Sequence, residues 1–475
     1  MKSFALITAS LLTGCSLVFP ASDHQGGTPR DAGADMTMPD DMTMSVDAGP
    51  ECTQDSDCDP EGAIACVSGA CTFCYAPMVV ATGTPASAHP IMPLHSLIVP
   101  AAAGSSDSRL IVSYAAGDHA GDVPSLIRMA IDDTMFGTTA DDAFPVLSAL
   151  SPDDRTGIAQ LFGFAMNVDR RAGATDSTVY WTSYAVSSGA GMTQSRFVAH
   201  GDFFSNVPHA AVSNDAAVAE TFLAEPAVLM MGATPTYVAR THSEAIPVAP
   251  TNSLRGFANG GGAQTNYTGP EVPAAFSELS ASGNLAAMGV KDSTDVLVWN
   301  PATPDGPLVV PVASRTSRAV LATEDSVTYY LAYAAASTLS VLRAECPGDP
   351  SACSFTRFAS VALPSTDMIS MPAIQVLGGH VFVATRESTN DENRVVLRAF
   401  DTDGSVFPAS GDDVLGGNVI RIDTRAPAIG YDDVALSVIG GGASAARLVV
   451  SYLRNGSSAS SPNVIAIARL RSCHS

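Results

Sequence analysis

The chain has 475 residues, enough for one large all-β domain or two to three ordinary ones, so a sizeable core is within reach. Its 47 acids against 24 bases give a formal net charge of −23, which would repel nucleic acid and anionic membrane surfaces and argues against both as partners. Lysine occurs only at Lys2 and Lys291, so arginine supplies nearly all the positive charge.

Taken in chain order, Lys2 is a minimal positive start, the stretch from Phe4 to Leu12 is apolar, and small residues follow. This is the layout of a secretory signal, too short to stay as a spanning helix. Leu12-Thr13-Gly14-Cys15 resembles the lipobox of bacterial lipoproteins. The resemblance implies a signal peptide over 1–14, acylation of the Cys15 thiol and Cys15 as the mature N-terminus. An ordinary signal peptide with a chance cysteine is the alternative. Ser16 stands where such lipoproteins often carry Asp for inner-membrane retention, which implies the outer membrane as destination. No other segment reaches about 18 uninterrupted apolar residues, so the expected bilayer contact is through acylated Cys15 alone.

Residues 15–50 are Asp-, Gly- and Pro-rich, repeat Met-Thr-Met, and show no hydrophobic periodicity. Such a composition cannot bury a core and is expected to be a disordered tether with a reach of roughly 30 Å.

The segment 51–75 carries Cys52, Cys58, Cys66, Cys71 and Cys74 and few residues that could form an apolar core, so cross-links are expected to substitute. It resembles the short cysteine knots that follow tethers in bacterial surface lipoproteins. Zinc at Cys71 and Cys74 would need a second ligand pair of matching spacing, and a redox role would need a strand-to-helix setting; neither is visible, and no metal or cofactor is expected. Asp55, Asp57, Asp59 and Glu61 alternate as calcium ligands do, but the Gly and distal Glu of an EF-hand are missing, and solvated acids are the favoured reading.

From 76 to 475 short strand-like runs alternate with Gly/Ser/Asp/Pro turns. An internal repeat runs through them at 108–132, 177–200, 326–346, 379–404 and 446–470. Each copy is an apolar run, usually closing on a tyrosine (Tyr114, Tyr184, Tyr333, Tyr452), then a polar loop, then a second run with one arginine (Arg128, Arg196, Arg343, Arg398, Arg469). Weaker copies lie at 236–250 and 284–300. With about four strands' worth of chain per unit, the spacing predicts radial repetition. The region resembles a β-propeller, expected to have seven blades. A pair of β-sandwiches is the rival. The marks of the WD40, kelch and sialidase-like classes are missing, so no propeller family's function carries over.

There is no G-x-S-x-G elbow, H-E-x-x-H, phosphate loop or dinucleotide-binding glycine pattern. The most site-like histidine is His119, beside Asp118 and Asp122, and an exposed loop histidine is the preferred reading. The Asp pairs at 132–133, 141–142, 153–154, 412–413 and 432–433, and the "FDTDG" at 400–404, read as turns before they read as acid–base pairs or metal loops. The repeated arginine could ring a channel and collect anions, or pair with carboxylates as scaffold. Scaffold is favoured, because a site seldom needs one residue in every unit.

Setting Cys15 aside for lipid leaves eight cysteines. Cys346 and Cys353 bracket a Pro/Gly turn and are expected to form a local bridge. Taking the knot as crossed, Cys52 with Cys66 and Cys58 with Cys71, leaves Cys74 for Cys473, a clasp between the two ends of the ring; connectivity within the head stays open at this level. The expected protein is a monomeric, lipid-anchored surface protein whose propeller binds an extracellular protein or glycan. An extracellular polysaccharide hydrolase or lyase with loop carboxylates at one mouth is the alternative.

Overall fold

A computed structural model describes residues 52–58, 64–83, 90–99, 109–116, 125–132, 146–148, 160–168, 180–187, 193–200, 210–214, 221–231, 234–243, 251–259, 264–272, 279–289, 294–302, 307–312, 316–335, 337–346, 353–364, 372–410, 414–416, 418–427, 430–439, 447–456 and 464–472. Apart from one short helix, Asp55–Cys58, the regular structure among these residues is β. Cys15 and the tether lie outside the described residues.

The strands form a succession of antiparallel meanders in chain order. Four-stranded sheets cover 90–148, 160–214, 221–272, 280–311 and 316–362, and a five-stranded sheet covers 373–425. The last sheet is built from both ends of the chain. Strands Tyr431–Ile439, Arg447–Arg454 and Val464–Ser472 are joined by Ala70–Gly83, which pairs antiparallel with Val464–Ser472 from Tyr75 opposite Ser472 to Gly83 opposite Ile465. The first strand of each sheet touches the first strand of the next, and Tyr431–Ile439 touches Pro90–Val99, so the inner strands close on themselves in a propeller-like ring.

The repeated hairpins take one place in this ring. The runs at 108–132, 177–200, 284–300, 326–346, 379–404 and 446–470 become the second and third strands of their sheets. At 236–250 the quoted repeat stops one strand short; its second run is Thr251–Asn259. Second strands are packed on both faces, which is why they read as unbroken apolar runs: Thr328–Ala335 is buried from Tyr329 onward. The outer strand Thr356–Ala362 is mostly exposed or half-buried, with Ala359 alone fully buried, as befits an edge facing solvent.

Inner strands carry a recurrent irregularity. The register against the second strand shifts between Ile91 and Leu94, Leu161 and Phe164, Ala224 and Ala227, Thr316 and Ala319, and Tyr431 and Asp433. The residues passed over include Pro93 and Pro226, which have no N–H to give a ladder, and Gly163. Pairing resumes opposite a hairpin tyrosine at Leu94–Tyr114, Phe164–Tyr184 and Ala319–Tyr333, and one residue past the shift at Val434–Tyr452. All four tyrosines are buried.

The cysteine-rich head is continuous with this ring. The expected boundary at residue 75 falls inside the strand Ala70–Gly83. Ile64 and Phe73, both fully buried, join a core cluster with Phe382, Leu397, Phe407 and Tyr452. Phe73 lies 5.8 Å from the Phe382 ring and its N–H donates to the Pro408 carbonyl at 2.9 Å.

Candidate binding site in the axial channel

The inner strands line a partly open pocket of about 120 Å³ whose wall includes His95, Ser96, Ser280, Arg318, Val320 and Ala435. Its Arg318 belongs to a buried charge cluster. The Asp433 carboxylate, wholly buried, accepts the Leu94 N–H through Oδ2 at 2.8 Å, and the Val434 N–H and Arg318 Nη1 through Oδ1 at 2.9 and 3.0 Å. One side chain therefore joins the inner strands of the first, fifth and last sheets. Both ends of this arrangement depend on the irregularities: Arg318 is a residue passed over by the shift in its strand, and Leu94 and Asp433 are where pairing resumes in theirs. A shift of this kind re-aims side chains and releases a backbone donor, here the Leu94 N–H.

Arg386, from the second strand of the neighbouring sheet, donates through Nη1 to the Tyr431 and Asp432 carbonyls at 2.5 and 2.7 Å. Burial, with repulsion from Arg318, holds its guanidinium below its usual range, opposed by attraction to Asp433 and Asp432. Further links run between inner strands: the Ser280 and Ser282 hydroxyls accept the Leu321 and Thr323 N–H groups, Gln375 Nε2 donates to the Leu436 carbonyl, and the Ser96 and Ser437 hydroxyls lie 2.6 Å apart.

The repeated arginines occupy third strands, away from the inner wall. Arg398 is buried and pairs with Glu387, which Arg394 grips from the other side at 2.9 Å; Arg343 is half-exposed beside Glu345 at 3.5 Å. Wherever their side chains are described, these arginines belong to the scaffold.

The sequence-predicted positions divide as follows. The structure joins Cys52 to Cys66, Cys58 to Cys71, and Cys346 to Cys353. The sulfurs of Cys52, Cys58 and Cys71 lie within 4.8 Å of one another because the two head bridges run side by side, and a disulfide sulfur offers no thiolate to a metal. Cys74 falls in the strand that meets the C-terminal strand, and Cys473 lies outside the described residues, so the clasp between them is not described. Asp57 is a scaffold acid: it accepts the Thr53 and Gln54 N–H groups, the Thr53 hydroxyl and the Gln54 amide, and these bonds lower its carboxyl to about 2. "FDTDG" is a turn, with Gly404 N–H donating to the Asp401 carbonyl at 2.8 Å and Gly404 in the left-handed region. His119, Asp118, Asp122 and the Asp pairs at 141–142, 153–154 and 412–413 lie outside the described residues.

One expectation is corrected. Asp432 and Asp433 were expected in a turn, yet they open the inner strand Tyr431–Ile439, and Asp433 is the hub of the buried cluster. Arg318, Arg386 and Asp433 carried no motif. The available signal was an Asp pair directly before the apolar run "VALSVI", a place where an acid must be buried or displaced.

No protein-family model matches this chain, and no curated protein does. Among solved structures the chain is similar to one titled "Phage phi92 endosialidase", with a TM-score of 0.42 and 10% sequence identity over 85% of this chain and 71% of that one.

Proposed function

We propose that this chain is an exported, lipid-anchored surface protein in which a seven-bladed propeller serves as a binding platform for an extracellular protein or glycan. The blade number is supported by the cycle of inner-strand contacts, which returns to its start after one pass through the sheets. The binding reading rests on one observation: among the described residues the buried carboxylate of Asp433, paired with the pocket residue Arg318, already accepts three hydrogen bonds from the scaffold, which leaves it unsuited to act as a general acid or base. Acylation at Cys15 and residence in the outer membrane follow from the lipobox resemblance. Three acyl chains, at about 0.8 kcal/mol per buried methylene, would hold the protein permanently. The clasp of Cys74 to Cys473 is part of the same proposal, supported by Tyr75 facing Ser472 at the joint between the chain ends.

Expression in a Gram-negative host with labelled palmitate tests the anchor. Label on the native chain and its absence from Cys15→Ser, which is released or left as precursor, are expected; an acyl-free mature N-terminus would refute the anchoring. A glycan and protein pull-down with the mature chain tests the platform, and turnover of a polysaccharide in place of retention would move the reading to the hydrolase.

A further inference from the structure

We propose that the cysteine-rich head is a substrate of a disulfide isomerase, a C-x-x-C dithiol enzyme that re-pairs its bridges during maturation. The native bridges interleave, Cys52 with Cys66 and Cys58 with Cys71, at sequence separations of 14 and 13. Pairing neighbours instead, Cys52 with Cys58 and Cys66 with Cys71, needs separations of only 6 and 5 (58 less 52, 71 less 66). Closure probability falls as about the −3/2 power of loop length, so chain statistics alone favour each wrong bridge roughly fourfold.

Local structure sharpens the competition. Ser68 and Gly69, both at positive φ, make the two-residue turn that joins Ala65–Val67 to Ala70–Gly83, and this sets Cys66 directly opposite Cys71. Facing residues of an antiparallel pair have Cα atoms roughly 4.5–5.5 Å apart, inside the range a disulfide spans. Such a hairpin forms in roughly 1–10 μs, whereas thiols oxidise over seconds or longer, so Cys66 meets its wrong partner first. The folded head prefers the other pairing because of what it covers. Cys52 is 3% exposed, and Cys58 and Cys71 pack against the core cluster that takes in Ile64 and Phe73.

Three exchanges convert the neighbour-paired head into the native one. The isomerase thiolate attacks Cys58 Sγ, which breaks the Cys52–Cys58 bond and frees the Cys52 thiolate. Cys52 attacks Cys66 Sγ, forming the native Cys52–Cys66 bond and releasing the Cys71 thiolate. Cys71 then attacks Cys58 Sγ of the mixed disulfide, forming Cys58–Cys71 and returning the isomerase thiolate. Each step makes one S–S bond and breaks one, so no net oxidant is consumed. The sulfurs of Cys52, Cys58 and Cys71 lie within 4.8 Å of one another in the folded head, so the product geometry keeps the exchanging atoms together. Cys58 is half-buried and open to attack, and burial of Cys52 ends the cycle.

The test refolds the reduced full chain in a glutathione redox buffer with and without a C-x-x-C disulfide isomerase, quenching at intervals for non-reducing peptide mapping. Without the enzyme, the Cys66–Cys71 peptide is expected to appear first and to persist. With it, Cys52–Cys66 and Cys58–Cys71 should accumulate about tenfold faster. Cys52→Ser combined with Cys66→Ser removes the facing competitor, and Cys58–Cys71 should then form at the same rate with or without the enzyme. Should the reduced chain aggregate, the map of the chain secreted by a host lacking its disulfide isomerase decides, and Cys66–Cys71 is expected there. Native bridges at equal rates with and without the enzyme, no Cys66–Cys71 species at any time, or a native map from the isomerase-deficient host would each overturn the proposal. None of these outcomes depends on the lipid anchor or on the extracellular ligand.

Discussion

Asp433 shows how one side chain can carry a structural decision. Its carboxylate satisfies a guanidinium and two backbone donors from separate strands, so removing it takes the paired carboxylate from buried Arg318 and the acceptor from the Leu94 N–H. Asp433→Ala is expected to cost about 3–5 kcal/mol, the range for breaking a buried pair on one side, read as a lowered denaturant midpoint. Arg318→Met combined with Asp433→Leu should recover part of that loss. A second residue-scale effect concerns the buried phenols. Burial pushes Tyr329 up to about 12, and it raises Tyr114, Tyr431 and Tyr452 above their ordinary value as well. A folded-state pKa above the unfolded value of 10.0 means the native chain holds its proton longer, so this stability is whole below pH 10 and is lost as pH climbs through 12 for Tyr329. Alkaline titration should show phenolate absorbance appearing together with loss of the β signal. Ionisation of all tyrosines near 10.0 with the β signal intact would contradict it.

At the scale of elements, the head and the turn at 401–404 illustrate packing between blades. Phe73 is fully buried against Phe382, and its loss opens a cavity beneath the last two sheets. Phe73→Ala should therefore cost about 3–5 kcal/mol, a thermal shift that a freely hanging knot would not produce. The two head bridges close loops of 14 and 13 residues in sequence separation, and their role is to hold Ile64 and Phe73 in place over that core. Gly404 meets the neighbouring sheet so closely that an added Cβ would lie 2.0 Å from the Phe358 carbonyl oxygen, and its φ of 86° already favours glycine. Contacts of this kind set the spacing of adjacent sheets, and they involve residues about 46 positions apart (404 less 358).

At the scale of the molecule, the joint between the chain ends decides whether the ring holds. The strand Ala70–Gly83 covers the edge of Val464–Ser472, which would otherwise present unpaired backbone groups. Deleting residues 52–83 should therefore yield a chain that self-associates in size-exclusion chromatography and melts without a sharp transition, whereas a chain lacking only residues 16–50 should melt as the whole protein does. A monomeric, cooperatively melting 52–83 deletion would show that closure contributes little.

How far each feature could be seen beforehand depends on how local its cause is. The second-strand hairpins were legible because each is packed on both faces and so must be an apolar run ending in a turn, a constraint written within some twenty residues. The bridge between Cys346 and Cys353 closes a seven-residue separation and is local in the same way. The turn at 401–404 is set by its own Asp and Gly. The inner strands were harder to see, since Pro93, Pro226 and Gly163 break their periodicity at the points where the register shifts. Least visible was the channel cluster: Arg318 and Asp433 are 115 residues apart, and Leu94 and Asp433 are 339 apart. By itself the sequence determined the strand type, the repeating unit and the cysteine-rich start, because those follow from neighbours along the chain. That the chain ends meet was expected from the cysteine count, but which carboxylate meets which guanidinium, and that Ile64 and Phe73 of the head pack into the core of the ring, was decided only when closure brought the first and last strands together, because burial is a property of the surroundings and not of the residue that bears it.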